Sequence, residues 1–383
     1  MQKSAVLGIG QIKVQEHWDK SLRELAGEAT LFALEDAGLN RVDGIFVSNM
    51  LSGTANKQAQ LGALIADWIG LKYSESIRLE AACGSGAYAF RNAVLAIASG
   101  QIETALVIGV EKMTDSPSAE ITSALATAAD ADWEVDMGVS FVALNALIMQ
   151  RYMHEYGWQT SDFAAFSINA HANAVHNPYA RFNKTITEKT YQNAPMICDP
   201  INLMDASSIG DGAAAIVLTS SERIRNQSPK ICVVGSAAAT DSISLQNRND
   251  LIWLSAAEIS SKAAFKQAGL SHSDIGVFEY HDAFTIMAAL ALEGSGFCER
   301  GEAPRLANDE EIRINGQIPV ATRGGLKARG HPVGATGIYQ IVEVVQQLRG
   351  VAGETQVPRN KYGMAQNIGG SGSNIITHIL ARE

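Results

Sequence analysis

Long hydrophobic runs, closely paired cysteines and an excess of basic residues are all missing from this 383-residue sequence. The apolar stretch 141–149 is too short to span a bilayer and contains Asn145. The apolar run in the first fourteen residues is too short for a signal peptide. The net charge of −10 provides no general basic surface for phosphate neutralisation. We therefore expect a protein that binds neither membranes nor nucleic acids.

The four cysteines are far apart and form no CxxC pair: Cys83, Cys198, Cys232 and Cys298. This spacing fits neither a zinc site nor a disulfide framework. We therefore predict reduced thiols, a cytoplasmic location and no bound metal.

Short β-type runs alternate with amphipathic helical runs along most of the chain. In α/β proteins this alternation predicts a parallel sheet covered by helices on both faces. In the first half we predict strands at 4–12, 44–50, 76–82, 104–112 and 213–220, and helices at 21–38, 57–70 and 86–100.

The second half repeats this order of elements, although the two halves share little identity. Here we predict strands at 230–239, 276–284, 318–325, 362–368 and 373–381, and helices at 254–270 and 334–350. The pattern loosens at about 113–205, which we interpret as an insertion packed over the sheet. The predicted domains are an N-terminal half, 1–220, that includes this insertion, and a C-terminal half, 221–383.

Cys83 lies between a predicted strand and a predicted helix, in the sequence EAACGSGAY. The small neighbours leave space for a ligand, and a helix N-terminus stabilises a thiolate and lowers the thiol pKa. A thiolate can form a thioester with an acyl group. The alternative is a buried structural cysteine in a tight turn.

Two histidines lie in comparable strand-to-helix loops. His331, in GGLKARGHPVGATG, is held by Pro332 and by glycines, which suits a proton acceptor. His281, in EYHDAFT, could donate a hydrogen bond to a thioester oxygen or position a water. A structural or surface histidine is the alternative for His331.

Two further loops contain candidate binding groups. The amides of the glycine-rich loop NIGGSGSN (367–374) could line an oxyanion site, although a plain hairpin turn is equally compatible. The cations Arg323, Lys327 and Arg329 lie within seven residues and could bind phosphates, or could form a solvated charged loop.

Taken together, these motifs resemble the thiolase superfamily along essentially the whole chain. GHPVGATG matches the thiolase string GHPxGATG, and HDAF stands where many thiolases have NEAF. GVEKMTD, RYMHEYG and DGAAAIVL are similar to the sterol-carrier-type and archaeal branch. The resemblance implies an α/β thiolase fold of two duplicated halves, in a five-layer αβαβα arrangement with an inserted loop domain.

The resemblance also implies roles for individual residues. Cys83 matches the nucleophile that becomes acylated, and His331 matches the base that activates it. His281 replaces the asparagine that holds a water, and this water forms with His331 the oxyanion hole for the thioester enolate. The amides of Cys83 and Gly369 match the second oxyanion hole, and the three cations become candidates for the coenzyme A phosphates.

One departure from the family pattern concerns the second catalytic cysteine. Ordinary thiolases supply it from a CxG motif, where this chain has Asn367, and sterol-carrier-type enzymes often supply it from HDCF, where this chain has Ala283. The usual proton donor and acceptor at the substrate α-carbon is therefore absent, and we expect His281 or His331 to take over this task.

The function implied is that of an acyltransferase acting on coenzyme A thioesters without a permanently bound cofactor. It would condense two acetyl-CoA molecules to acetoacetyl-CoA, or cleave a β-ketoacyl-CoA in reverse. The alternatives are a degradative thiolase for larger substrates, a thiolase-fold aldolase and a non-catalytic acyl-CoA-binding subunit. The resemblance further implies a homodimer and a small zinc-ribbon/OB-fold partner protein.

Overall fold

The computed structural model describes residues 3–224 and 228–383. Its strands are β1 (Ser4–Gln11), β2 (Gly44–Ser48), β3 (Glu75–Leu79), β4 (Thr104–Glu111), β5 (Met196–Cys198), β6 (Ile201–Asn202), β7 (Gly212–Ser220), β8 (Ile231–Thr240), β9 (Val277–Glu279), β10 (Tyr362–Gly369) and β11 (Asn374–Arg382). Its α-helices are α1 (Leu22–Ala37), α2 (Leu61–Trp68), α3 (Ser85–Ala98), α4 (Ser118–Ala126), α5 (Phe141–Tyr156), α6 (Ala164–Ala174), α7 (Glu188–Gln192), α8 (Ser255–Ala268), α9 (Thr285–Gly294), α10 (Ala303–Asn308) and α11 (Thr336–Arg349).

Nine of these strands form one mixed sheet in the order β3-β2-β4-β7-β1-β8-β11-β10-β9, while β5 and β6 pair separately. The two halves of the sheet meet in a short ladder, in which Ala5 pairs with Cys232 and Val6 with Ile231. Within the described part of the chain, only β2 with β3, β2 with β4, and β9 with β10 are parallel pairs. The predicted parallel sheet is therefore wrong in detail, because the strands flanking the join run antiparallel to their neighbours.

Two helices lie between the two halves of the sheet. α3 packs against β2 and β4 on one side and against β10 and β11 on the other, and α11 likewise contacts strands of both halves. α1 and α2 cover the opposite face of the first half, and α8 covers that of the second. Helices and half-sheets therefore alternate in five layers, as the sequence resemblance implied.

The strand predicted at 318–325 does not form as such. Val320 makes only an isolated bridge to Phe278, and the chain then turns into a π-helical segment, Gly325–Arg329. Gly324, Gly325 and Gly330 all have positive φ, which is incompatible with a continuous strand. The apolar run of this segment is explained by burial, since all residues from 318 to 324 are buried.

The segment 113–205 contains α4 to α7 and the β5–β6 hairpin. Its helix α5 packs against α9 of the second half, and α6 packs against the Gly325–Arg329 turn. This segment therefore covers the helix that follows His281 and the turn that precedes His331. Among residues 3–224 and 228–383, no helix combines the length and the apolar character needed to cross a membrane.

The two central helices approach each other at a pair of glycines. A Cβ atom on Gly86 would lie 2.8 Å from the backbone nitrogen of Gly337, and one on Gly337 would lie 2.4 Å from that of Ala87. Since both contacts are with backbone, a neighbouring side chain could not relieve them. Glycine at these positions sets the distance between α3 and α11.

Gly86→Ala is therefore expected to lower the free energy of unfolding by about 1–3 kcal/mol, because overpacking here outweighs the gain in helix propensity. Urea denaturation of the two proteins measures the difference. Gly53→Ala is the matched control, since a Cβ there has no atom within 4 Å. A Gly86→Ala variant as stable as the control would contradict the close-packing argument.

Candidate active site

Cys83, His281 and His331 meet in the folded chain, although 248 positions separate the first from the last. The Cys83 sulfur and one ring nitrogen of each histidine lie within 4.8 Å of one another. The two imidazole rings are nearly perpendicular, with centroids 5.2 Å apart. All three side chains are at most 5% exposed. The sequence-predicted cysteine and histidines thus form one buried cluster.

The turn that holds Cys83 has an unusual backbone conformation. Ala82 has a φ of +50°, in the left-handed region that side chains rarely adopt. Ser85 stabilises this turn from both sides, because its hydroxyl donates to the Ala82 carbonyl and accepts from the Ala81 N–H. Strained positions of this kind are concentrated at functional sites. Nothing in the sequence pattern pointed to this role of Ser85.

His331 is held at two points. Its backbone N–H donates to the Ser208 carbonyl at 2.7 Å, and its Nδ1 is 2.7 Å from the Thr336 hydroxyl. Nδ1 is therefore occupied, which leaves Nε2 as the ring nitrogen available to the cluster.

The loop after His331 is fixed by a buried carboxylate that sequence reasoning missed. Glu111, at the end of β4, accepts hydrogen bonds from the backbone N–H groups of Met50, Leu51 and Gly334, each at 2.9 Å. It also accepts from the Asn49 amide at 2.8 Å. Because Gly334 belongs to the second half and the other donors to the first, Glu111 links the two halves beside the cluster.

His281 has a different partner. Its Nδ1 lies 3.1 Å from the side-chain nitrogen of Asn367, at the position where ordinary thiolases have their second cysteine. Ala283, the other position without a thiol, lies at the wall of the adjoining cavity. Neither position supplies a thiol, and Asn367 instead contacts a histidine of the cluster.

Gly369 lies directly against the Cys83 turn. A Cβ at Gly369 would be 2.4 Å from the Ala81 carbonyl oxygen, and one at Gly84 would be 3.2 Å from the Gly369 nitrogen. Only a residue without a side chain permits this contact. The structure thus brings the closing loop beside Cys83, as an oxyanion site would require.

Burial decides the charge state of the cluster. It raises the pKa of the Cys83 thiol to about 12, with a further rise from the negative charge of Glu111. It lowers the pKa of His281 to about 3, with Arg329 adding to the effect. The pKa of His331 is also well below its ordinary range, because of burial and the nearby His281 and Arg329. The expectation of a lowered thiol pKa is therefore wrong for this structure, because loss of hydration outweighs the effect of the helix N-terminus.

The three cations proposed for coenzyme A phosphates are buried inside the protein. Arg323, Lys327 and Arg329 are 6%, 2% and 0% exposed. Arg323 donates to the Ala352 carbonyl and to Thr355, and Lys327 donates to the Asp205 carbonyl. This placement corrects the phosphate assignment, since cations committed to internal partners do not present a surface to a ligand.

Arg329 has the most direct influence on the cluster. Its Nε forms a 2.8 Å ion pair with Glu343 of α11, and its guanidinium lies over the Tyr339 ring, 4.8 Å from the centroid. Because it is held beside both histidines, its positive charge disfavours a second positive charge on either ring.

An apolar cavity of about 150 Å³ opens beside the cluster. Cys83 and His331 contribute the reactive groups of its wall, and the remaining lining includes Leu125, Phe141, Val142, Ala206, Ile209, Ala283, Phe284 and Val333. Residues from the 113–205 segment and from both halves thus enclose the space next to the thiol.

The same three side chains are those that could hold a metal ion, since a thiol and two imidazoles are suitable zinc ligands. Zinc would need a lone pair on the nitrogen of each histidine that faces the cluster. Whether His281 can offer that lone pair depends on its hydrogen bond to Asn367.

Family models match both halves of the chain. The model described as "Thiolase, N-terminal domain" matches residues 7–222, and "Thiolase C-terminal domain-like" matches residues 237–382. The chain is a member of the thiolase family.

Two relatives place this thiolase more narrowly. It is 44% identical to an acetyl-CoA acetyltransferase of Methanothermobacter thermautotrophicus, with full coverage of both chains. It is 28% identical to sterol carrier protein 2 of Bos taurus, over 97% of this chain and 71% of that protein. The predicted kinship with archaeal and sterol-carrier-type thiolases is confirmed.

A solved structure confirms the fold. The "Ltp2-ChsH2(DUF35) aldolase" superposes with a TM-score of 0.86, at 25% identity, over 99% of this chain and 98% of that one. Together with the two family models, this superposition confirms the predicted thiolase fold.

Because the resting thiol is neutral, we expect iodoacetamide to alkylate Cys83 at neutral pH at least about tenfold more slowly than free cysteine. The rate should keep rising with pH while the protein remains folded, since the thiol loses its proton only as the pH approaches about 12. Peptide mass spectrometry, with Cys83→Ala as the control, gives the rate at this position. A plateau at neutral pH would instead indicate a preformed thiolate.

Proposed function

We propose that this thiolase is an acetyl-CoA acetyltransferase that carries the acyl group on Cys83. The observation that supports this most directly is the meeting of Cys83, His281 and His331 within 4.8 Å, with Cys83 and His331 in the wall of an apolar cavity. The 44% identity to the Methanothermobacter thermautotrophicus acetyl-CoA acetyltransferase supports the same assignment. Coenzyme A thioesters would be substrates rather than permanently bound cofactors.

The first half-reaction transfers an acyl group to Cys83. Nε2 of His331 takes the thiol proton as the sulfur attacks the thioester carbonyl, so a charged pair exists only during the reaction. The carbon–sulfur bond to coenzyme A then breaks, and His331 returns the proton to the departing thiolate. The amides of Cys83 and Gly369 would stabilise the oxyanion that forms in between.

The second half-reaction forms the carbon–carbon bond. The α-carbon of a second acetyl-CoA loses a proton, and the resulting enolate attacks the acyl carbon on Cys83. The carbon–sulfur bond to Cys83 breaks, acetoacetyl-CoA is released, and the cysteine thiolate recovers a proton. We propose that the two histidines of the cluster, His281 and His331, between them take and return this proton and stabilise the enolate oxygen, and that thiolysis follows the same path in reverse.

The cavity favours a short acyl chain. Its volume of about 150 Å³ is small compared with the several hundred Å³ typical of drug-sized ligand pockets. Leu125 and Phe284 are among the apolar side chains that bound it on the side of Cys83. We therefore place acetyl-CoA ahead of a larger β-ketoacyl-CoA as the substrate.

A thiolase-fold aldolase is the second candidate. The superposition on the "Ltp2-ChsH2(DUF35) aldolase" and the absence of a thiol at Ala283 and Asn367 favour it. An aldolase cleaves a β-hydroxyacyl-CoA without forming an acyl-cysteine, so a covalent intermediate distinguishes the two.

We also propose two associations. The aldolase named Ltp2-ChsH2(DUF35) includes a DUF35 protein, and we infer a comparable zinc-ribbon/OB-fold partner for this chain.

We further propose a homodimer formed along β3. Of the two edges of the sheet, β9 is fully buried, whereas β3 has exposed and half-buried residues. Unpaired strand edges readily pair with another chain.

We propose a cytoplasmic location. Both the coenzyme A thioesters that the family uses as substrates and the four free cysteines fit this location.

Intact-mass measurement after incubation with acetyl-CoA tests the proposed chemistry. We expect the mass of one acetyl group on the chain, absent in Cys83→Ala and released by added coenzyme A. Acetoacetyl-CoA formation is then followed with and without the zinc-ribbon/OB-fold partner. An unmodified chain that cleaves β-hydroxyacyl-CoA would establish the aldolase instead, and an unmodified, inactive chain would establish a binding subunit.

For the dimer, we expect Ile77→Lys to shift the sedimentation of the chain from dimer to monomer. Ile77 is 50% exposed on β3, and a lysine there would place two like charges at the pairing edge. The matched control is Ile259→Lys, on α8, where the isoleucine is 56% exposed and lies away from this edge. Equal sedimentation of both variants would exclude β3 as the interface.

A further inference from the structure

Asn367 has no part in the steps described so far, although its side chain is buried within the cluster. It lies near the end of β10 and is 1% exposed. Its two polar ends contact different groups, the backbone of α3 and the ring of His281. These contacts determine where the proton of His281 resides.

The backbone of α3 fixes the orientation of the amide. The N–H of Ala87 donates to the Asn367 side chain at 3.3 Å, and a backbone N–H can only donate. The side-chain atom facing Ala87 must therefore be the oxygen, and the NH₂ group must face His281. Rotating the amide by half a turn would place two donors against each other at Ala87.

The orientation of Asn367 in turn fixes the tautomer of His281. The NH₂ group lies 3.1 Å from Nδ1 and can only donate, so Nδ1 must accept. A neutral imidazole has one protonated nitrogen, which is then Nε2. Burial and the nearby Arg329 disfavour the doubly protonated ring, since both hold the pKa of His281 down to about 3.

We propose that Asn367 is a positioning residue that holds His281 with its proton on Nε2, so that His281 is the hydrogen-bond donor of the cluster and His331 its only base. This inference rests on the proposed function and deepens it. It assigns the task of the missing second cysteine to His331 and a supporting task to the residue that occupies the cysteine's position.

The protons balance with a single base. After acylation, His331 is again neutral and takes the α-proton of the second acetyl-CoA at Nε2, while Nε2–H of His281 donates to the enolate oxygen. The enolate then attacks the acyl carbon, the bond to the Cys83 sulfur breaks, and the histidinium gives its proton to that sulfur. Cys83 and both histidines return to their starting states without a second thiol.

The same tautomer makes the cluster a poor zinc site. Nε2 of His281 carries a proton and has no lone pair to offer, and moving that proton to Nδ1 would set it against the NH₂ of Asn367. The site is arranged to donate a hydrogen bond to an oxygen rather than to coordinate a cation.

Nitrogen-15 NMR of protein labelled at histidine reads the tautomer directly, with His281→Ala identifying the signals of His281. In the wild type, we expect a protonated Nε2 and an unprotonated Nδ1. In Asn367→Ala, these signals should move towards a mixture of tautomers, because the donor to Nδ1 is gone. A wild-type His281 protonated at Nδ1, or at both nitrogens at neutral pH, would overturn the inference.

Kinetics provide the second measurement. Asn367→Ala should slow condensation by about tenfold or more. The Nε2–H group of His281 would no longer be held in position to donate to the enolate oxygen. It should leave acetylation of Cys83 within about twofold, since Cys83, His331 and the Gly369 amide remain. Asn169→Ala is the matched control, because it also removes a buried side-chain amide, one that donates to the Val320 carbonyl and not to a histidine of the cluster. A loss confined to acetylation, or one equal to that of the control, would contradict the assignment.

A double-mutant cycle separates positioning from general stability. If Asn367 acts through His281, then adding Asn367→Ala to His281→Ala should cost no further activity. Additive losses would show an independent role for Asn367 and overturn the proposal. If Cys83 is never acetylated but His281 shows the expected tautomer, the proposed function fails while the tautomer assignment stands.

Discussion

The close approach of α3 and α11 is the constraint on which the active site depends. Cys83 lies in the turn that leads into α3 and His331 in the loop that leads into α11, so the spacing of the helices sets the spacing of thiol and imidazole. The approach is possible only because glycine meets glycine, at Gly86 and Gly337, with backbone against backbone. The contact between α3 and α11 lies between the two halves of the sheet. It therefore determines both the packing of the central layer and the geometry of the site.

Burial gives this site its electrostatic character. The thiol and both imidazoles are almost fully enclosed, and each is neutral at rest because hydration of a charged form is lost. In the proposed reaction, charges appear only as the substrate reacts, in a space where fixed donors would stabilise them strongly. Arg329 reinforces this neutral state, because its positive charge disfavours protonation of both histidines. Its ion pair with Glu343 stabilises the buried guanidinium itself. The cations near the GHP motif, Arg323, Lys327 and Arg329, are therefore buried groups of the protein interior and do not contact a ligand.

Local patterns in the sequence were sufficient for much of the fold and for the three reactive side chains. Strand-to-helix turns pointed to Cys83, His281 and His331, and the glycines around Cys83 and His331 strengthened the prediction for these two. The strand predicted at 318–325 was wrong, since the apolar run there reflects burial, and glycines with positive φ break the extended chain. The charged run at 323–329 was ambiguous for a related reason: charge in a sequence does not tell whether its partners are solvent, ligand or protein.

The family, the alternation of strands and helices, the candidate nucleophile and the lack of a second cysteine all followed from the order of residues alone, because each is a local pattern. The charge state of the thiol, the internal pairing of the cations and the part played by Asn367 became visible only in the folded chain. Those properties depend on contacts between residues far apart in the chain, such as Asn367 with Ala87 and His281, or Glu111 with Gly334. A pKa or a tautomer is set by the groups that surround a side chain, and the fold alone determines which groups those are.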